Sequence, residues 1–322
     1  MAQQRGSNVK IIYDTETVFR TTPGAPASMV LPFVRESLRM SRNLVSSNTI
    51  RSSRNPQQPV RGNVDVAGSI DIELAPQYGL LFKHIFGTVA TTGSGPYTHT
   101  HKIGDLPAGM TIEKQFLDLS PIQYFKYNGC KVNNFKCTIK PEGLITASVD
   151  IIGATETVSS GGSFHASPTD RGITPFDGFG CTIKQGGSTL AIGTEVSFTI
   201  ANGLDASMYV IDGTGYRYSL PEGLARVTGN LKCIFDAITM YNLAVAGTES
   251  SLEVTLTKGT GAGTAGNEKM VFLFDELIFK PAAPVVEGPT GLLVDLDFEA
   301  YYGDDADISA LRVQTFDSWA TY

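Results

Sequence analysis

Between Ser69 and Leu74 apolar and polar residues alternate strictly. Ile70, Ile72 and Leu74 share one face; Ser69, Asp71 and Glu73 share the other. A period of two is the mark of a half-buried β-strand. A short apolar stretch follows, opened by Pro76 and closed by Gly87, with Leu80, Leu81, Ile85 and Phe86 along it. The proline-first, glycine-last arrangement predicts one short helix packed on a sheet. The same succession then returns. Val66 and Gly68 align with Val227 and Gly229, and Ile70, Ile72 and Leu74 with Leu231, Cys233 and Phe235. The offset is 161 residues at the first glycine, and 160 where Gly87 aligns with Gly247.

The remaining pattern is also strand-like. MTIEKQFLDL, YFKYNGCKVNNFKCTIKPEG and LITASVDIIG read as strands joined by Asn-Gly and Glu-Gly turns. In the last of these, Ile145, Ala147, Val149 and Ile151 share a face. Leu292, Val294, Leu296 and Phe298 do the same near the C-terminus, opposite Asp295, Asp297 and Glu299. Lys140-Pro141 finds an echo in Lys280-Pro281, and Glu142-Gly143 in Glu287-Gly288. The predicted fold class is all-β with short helices: two tandem β-sandwich or barrel units, each with a flanking α-helix. Residues 1–30 read as a polar arm, poorly ordered alone, with YDTETVF as one possible strand. Residues 31–155 form the first unit, 156–175 a glycine-rich linker, and 176–322 the second unit with its C-terminal segment.

Composition supports this division. A chain of 322 residues holds two ordinary cores. Its 34 glycines and 16 prolines punctuate many turns, and only 18% of residues are charged, so much surface is expected to be covered. No apolar run is long enough to span a bilayer, and the first ten residues lack the apolar stretch of a signal peptide. Cys130, Cys137, Cys181 and Cys233 form no CxxC pair, so core or strand thiols made in a reducing cytoplasm are the simplest reading.

The net charge of -7 is unevenly spread. Residues 1–62 hold nine Lys or Arg against three Asp or Glu; residues 285–322 hold eight acidic residues against one basic. Solvated tails and attraction between opposite ends of neighbouring subunits both fit this asymmetry. Arg39, Arg42, Arg51, Arg54 and Arg61 lie in one stretch that Pro56 and Pro59 keep extended. It has no interleaved aromatics, so a subunit interface suits it better than nucleic acid.

Catalytic signatures are weak. Gly261, Gly263 and Gly266 fit GxGxxG, but a strand-like stretch follows where a phosphate site needs a helix. That glycine run is expected at a hairpin tip. His99 and His101 form an HxH pair in a polar stretch, with no third ligand placed by sequence. Solvent-exposed loop histidines are the default reading. The carboxylates Asp295, Asp297 and Glu299 have no evident acid–base partner, and no nucleophile elbow or HExxH is present. No enzyme activity, cofactor or metal is expected.

The stretch SNTIRSSRNPQQPVRGNVDVAGSIDIEL, followed by LLFKHIFG, resembles the tail tube proteins of long-tailed bacteriophages. Arg51, Arg54, Pro56, Pro59, Arg61, Gly62, Gly68, Glu73 and Leu74 carry the match, with Lys83, His84 and Gly87 after them. VSFTIANGL, LPEGLARVTGNL and GPTGLLVDLDFEA are similar to the second half of that family. The resemblance covers most of residues 31–315. It implies a structural virion protein without catalysis, made in the host cytoplasm, whose sheets join into rings that stack into a hollow tube. The implied partners are further copies of itself, a tape measure protein and transiting DNA in the lumen, and tail-tip and terminator proteins. No membrane is involved. Most members of the family are expected as six copies per ring. With two units in this chain, three chains would make a pseudo-sixfold ring. The five arginines are then candidate subunit-interface residues, and Asp295, Asp297 and Glu299 candidate lumen-facing acids that keep DNA from sticking. The arm 1–30 and the loop 88–109 are candidates for locking adjacent rings. The alternatives are another tail ring component, or a β-sandwich glycan-binding module, for which Trp319 is the single tryptophan.

Overall fold

The computed structural model describes residues 3–286, 288–289, 291–303 and 309–321. The first half runs β1 (Val9–Glu16), β2 (Met29–Val30), β3 (Arg35–Glu36), β4 (Arg39–Val45), β5 (Val60–Glu73), helix α1 (Gly79–Phe86), β6 (Gly87–Thr92), β7 (Tyr97–Ile103), β8 (Gly109–Phe116), β9 (Gln123–Ile139), β10 (Thr146–Gly153) and β11 (Thr155–Ser159). The second half runs β12 (Cys181–Gln185), β13 (Ser188–Thr189), β14 (Gly193–Ala201), β15 (Arg226–Ile234), helix α2 (Thr239–Val245), β16 (Ser250–Thr257), β17 (Lys269–Phe279), β18 (Leu293–Ala300) and β19 (Arg312–Asp317). Among the described residues the fold is all-β with two short α-helices, as the alternation predicts.

Strand pairing repeats between the halves. In the first half, β1 pairs β8, β8 pairs β9, β9 pairs β10, β10 pairs β5, and β5 pairs β4. In the second half, β12 pairs β16, β16 pairs β17, β17 pairs β18, β18 pairs β15, and β15 pairs β14. The register agrees too. Gly68 stands opposite Ile151, and Gly229 opposite Phe298. Both strands next to β9 and β17 carry an irregularity at equivalent places, between Met110 and Ile112 and between Ser250 and Leu252.

This register corrects one sequence landmark. Met110 pairs Cys130, and its counterpart Ser250 pairs Leu277. Cys130 therefore corresponds to Leu277, and Val132 to Phe279. Lys280-Pro281 corresponds to the middle of β9, not to its end at Lys140-Pro141. The echo compared two lysine–proline pairs without the pleat between them. Glu287, half of the next landmark, lies outside the described residues.

Asn128-Gly129 is likewise no turn. β9 runs unbroken from Gln123 to Ile139 and passes from one sheet to another. Gly129 takes φ +65°, which bends the strand at that crossing. Buried Glu16 at the end of β1 fixes the bend. Its carboxylate accepts from Gly129 N at 3.0 Å, Asn128 Nδ2 at 3.0 Å, Thr111 Oγ1 at 2.9 Å and Arg20 N at 2.8 Å. Burial pushes the Glu16 pKa up despite these donors. Glu16→Ala strands several buried donors and is expected to cost about 3 kcal/mol. Urea unfolding checks this; a loss under about 1 kcal/mol would show that water replaces the carboxylate.

Residues 9–16, within the expected arm, pair with β8 along its full length, and Thr155–Ser159, which run from the last residue of the expected first unit into the expected linker, pair with β9. The alternating apolar residues meet in one core that runs through both halves, and α1 contributes Leu80, Leu81, Phe82, Ile85 and Phe86 to it. Gly87 ends α1 at φ +96°, where a Cβ would meet Gly104 O at 2.4 Å.

Candidate functional site

The two halves are joined by a shared strand edge. The C-terminal part of β9 pairs β10 on one side and β14 on the other. Val196 stands opposite Ile139, Phe198 opposite Cys137 and Ile200 opposite Phe135. The result is one antiparallel ribbon of eight strands, in the order β4–β5–β10–β9–β14–β15–β18–β17. Asn202 pins the joint: its side-chain amide donates to Ile85 O at 3.1 Å and Val132 O at 3.0 Å.

One face of this ribbon is buried, with Ile70, Val149, Phe135, Phe198, Leu231 and Leu296 pointing into the core. The opposite face is polar: Ser69, Asp71, Ser148, Thr138, Ser197, Thr199, Thr228 and Asn230 alternate with those core residues. Ser148 Oγ and Arg35 Nε donate to Asp71 at 2.6 and 2.9 Å and hold its carboxyl below the usual range. Asp295, Asp297 and Glu299 lie in a row on this face of β18, all exposed. Asn230 Nδ2 donates to Asp295 and, at 2.8 Å, to Asp297; Lys232 Nζ lies 3.9 Å from Asp295.

The five arginines all belong to one hairpin. Arg39 and Arg42 lie on β4, Arg61 on β5, and Arg51 and Arg54 on the connection between them. All are exposed, and among the described residues none forms an ion pair. Arg42 Nη2 donates to Thr214 O at 3.0 Å, and Arg51 Nη2 to Asn55 O at 3.0 Å. Among the described residues β4 pairs only β5, and side chains cap its outer edge: Met40 N donates to Glu156 Oε2 of β11 at 3.3 Å, and Leu38 O, just before β4, accepts from Lys114 Nζ of β8 at 2.6 Å. At the other end of the ribbon, β17 stops at Phe279, and the chain continues as Lys280–Val286 with Val285 70% and Val286 71% exposed. In the sequence this segment supplies only the Lys280-Pro281 landmark and no strand, because its two prolines hide the alternation.

The stretch around His99 and His101 is no exposed loop. β6 and β7 form a hairpin, and β7 pairs β19 of the second half from Tyr97 to Lys102. Both histidines are fully buried. His99 Nδ1 lies 2.8 Å from Thr91 Oγ1, and its Nε2 lies 2.9 Å from Trp319 O. His101 packs against Phe82 and Phe86, and burial pushes its pKa down to about 3. Alternation along β7 turned both rings inward, a cue the polar composition masked. Among the described residues no group of three or more His, Cys, Asp or Glu is placed to hold a metal ion. Gly259, Gly261, Gly263 and Gly266 take positive φ in the turn between antiparallel β16 and β17, with no helix N-terminus after them.

Two halves with the same pairing order, joined through β9 and β14 into one sheet that is polar on one face, define a duplicated all-β protein. Residues 6–300 match the family model described as phage tail tube protein. The chain belongs to that family, and it is a structural component of the phage tail tube. No curated protein matches the chain. No helix among the described residues is long and apolar enough to cross a membrane.

Proposed function

We propose that three copies of this chain close into a pseudo-sixfold ring, and that rings stack into the hollow tube through which phage DNA passes. The observation that carries this reading is the eight-stranded ribbon: β4 pairs only β5, and the far end runs on past β17 as Lys280–Val286, against which no strand lies among the described residues. An open edge is an aggregation hazard unless another chain completes it. Head-to-tail pairing of β4 on one chain with the far end of the ribbon on the next is a heterologous contact that closes after a fixed number of copies.

Strand spacing selects the number. Three ribbons give 24 strands, which at ~4.8 Å each make a circumference of about 115 Å and a backbone diameter of about 37 Å. Side chains of ~6 Å on each wall leave a bore of about 25 Å, enough for a DNA duplex. Two ribbons would leave only about 12 Å on the same spacing. The buried face of the ribbon is covered by the outer strands and α1, so the polar face lines the bore. Asp295, Asp297 and Glu299 then repel the phosphates of transiting DNA. The five arginines on the β4–β5 hairpin serve contacts between copies. The division into units 31–155 and 176–322, joined by 156–175, belongs to this reading, with β1 added to the first unit. The arm 1–30 and the loop 88–109 are the candidates for locking adjacent rings, the latter anchored within the chain where β7 pairs β19. Tape measure, tail-tip and terminator proteins are the expected further partners.

Cryo-electron microscopy of the purified protein tests the proposal. Rings or tubes with threefold symmetry and a bore near 25 Å are expected. Six whole chains around the axis, or monomers at every concentration, would overturn it. A triple lysine variant at Asp295, Asp297 and Glu299 is expected to assemble normally yet slow DNA release, more so at low salt.

A further inference from the structure

The joint inside the chain is a template for the joint between chains. By the shared pairing order, β4 corresponds to β14. Leu38 adjoins Gly68 as Phe198 adjoins Gly229, so Ser37 corresponds to Ser197 and Met40 to Ile200. Counted onward from Phe279, the counterpart of Val132, with the irregularity that β9 carries at Asn133 taken to recur at Lys280, Ala282 corresponds to Phe135, Pro284 to Cys137 and Val285 to Thr138. Within the chain, Ser197–Ile200 pair Thr138–Phe135. The equivalent stretch after β17 has no strand against it among the described residues, and the equivalent strand β4 pairs only β5 there, its outward Met40 N and Leu38 O being held by the side chains of Glu156 and Lys114.

The geometry points to a specific docking surface: the outer edge of Glu36–Ser41 pairs antiparallel with Pro281–Val286 of a second copy, with Ser37 opposite Val285. This rests on the ring proposed above and names the residues that close it. The direction of the main chain agrees. Ser37 N donates to Ser69 O at 2.9 Å, toward β5. Met40 N instead donates to Glu156 Oε2 at 3.3 Å, so it points away from β5 and toward the incoming edge. Alternation then turns Leu38 N outward as well. The pleat also agrees. Ala282 packs against the core as Phe135 does, while Val285 is exposed on the polar side as Thr138 is not, being covered by β14. Pro284 O would accept the Leu38 N–H, while Pro284 has no N–H to return to Leu38 O, which Lys114 Nζ already holds at 2.6 Å. The joint between chains is therefore built like the internal one but with fewer main-chain bonds, and assemblies should come apart there first.

Cysteine cross-linking tests the register. Ser37 and Val285 would form a non-hydrogen-bonded pair, whose side chains are the closest in an antiparallel ladder. The double variant Ser37→Cys/Val285→Cys, with half-buried Cys181→Ser, is oxidised after assembly. Non-reducing gels are expected to show a covalent ladder ending at three chains. The internal pair Ser197→Cys/Thr138→Cys, which sits in the same geometry, should close within single chains and reports that such a pair can oxidise. Ser37→Cys with Ala283→Cys, a two-residue slip on the same face, should give at least ten-fold less product. Tubes that form normally but cross-link only at the slipped pair, or at neither, overturn this joint and leave the tube reading standing. A ladder ending at six overturns closure by three. Failure to assemble under any condition overturns both.

Discussion

Lowering the pH from 7 to 5 is expected to cost the folded chain about 4 kcal/mol, because two buried histidines stay neutral while the unfolded chain takes up protons. His84 lies in α1 with Nε2 at 2.8 Å from Thr15 Oγ1, and burial pushes its pKa down to about 3. His101, between Phe82 and Phe86, is pushed down to about 3 by burial and by neighbouring His99. The unfolded value is 6.5. A folded pKa below the unfolded one means that the unfolded chain binds more protons at any pH between them. Stability therefore rises with pH across that window, and is lost as pH falls below about 6.5. Each histidine contributes about 2 kcal/mol between pH 7 and 5.

Carboxylates do not blur this window. Asp71 and Asp118 are held low by their donors, so their contributions are lost only below the ordinary carboxylate range. Glu16, held high, works in the opposite direction and eases acidification slightly. Urea midpoints at pH 7 and 5 would measure the effect on unassembled chains. His84→Gln and His101→Phe should each remove about half of the pH dependence, whatever they do to stability at pH 7. Unchanged dependence in both variants would mean that the rings are hydrated or reprotonated in the folded chain.

Part of this architecture is legible in the residues, and the rest fails for identifiable reasons. Strict alternation placed Ile70 and Ile72, Val149 and Ile151, and Val294 and Leu296 on buried faces, where they lie. Two aligned glycines located the repeat, and the pairing order bears out the alignment of β5 with β15. Local patterns misled wherever a long-range contact decided the outcome. Asn128-Gly129 has turn chemistry, yet Glu16, distant in sequence, holds it inside a strand. His99 and His101 have polar neighbours, yet β19 covers them. Residues 9–16 look like part of an arm until β8 supplies a partner. For the candidate interface and lumen residues, the chain alone gives their placement: five exposed arginines on one hairpin, three exposed acids on one strand. Which of them meets another copy depends on chains outside this one, so no local signal could have chosen among them.

Gly229→Val is expected to destabilise the chain by about 4 kcal/mol or more, enough to prevent folding in a marginal background. Backbone conformation is not the reason, since Gly229 lies in an ordinary extended strand. Space is the reason. A Cβ there would sit 2.2 Å from the Phe298 ring and 2.7 Å from Ser197 O. Phe298 cannot retreat freely, because it packs edge-on against Phe274 at 5.3 Å and Phe279 at 6.0 Å. Ser197 belongs to β14, whose other edge is the joint to β9. The clash therefore pushes on both the second core and the seam between the halves. Gly68 meets an equivalent demand, with Leu38 Cα at 2.4 Å, but there the obstacle is the strand that bears the open edge. Gly68→Ala should thus weaken ring formation at a substitution level that leaves most of the core intact. Gly161→Ala, whose Cβ meets only Ser159 Oγ at 3.6 Å, should change stability by less than about 0.5 kcal/mol. Thermal unfolding and sedimentation of the three variants separate these effects. A soluble Gly229→Val protein as stable as the parent would mean that β14, β15 and β18 are not stacked as closely as the paired register requires.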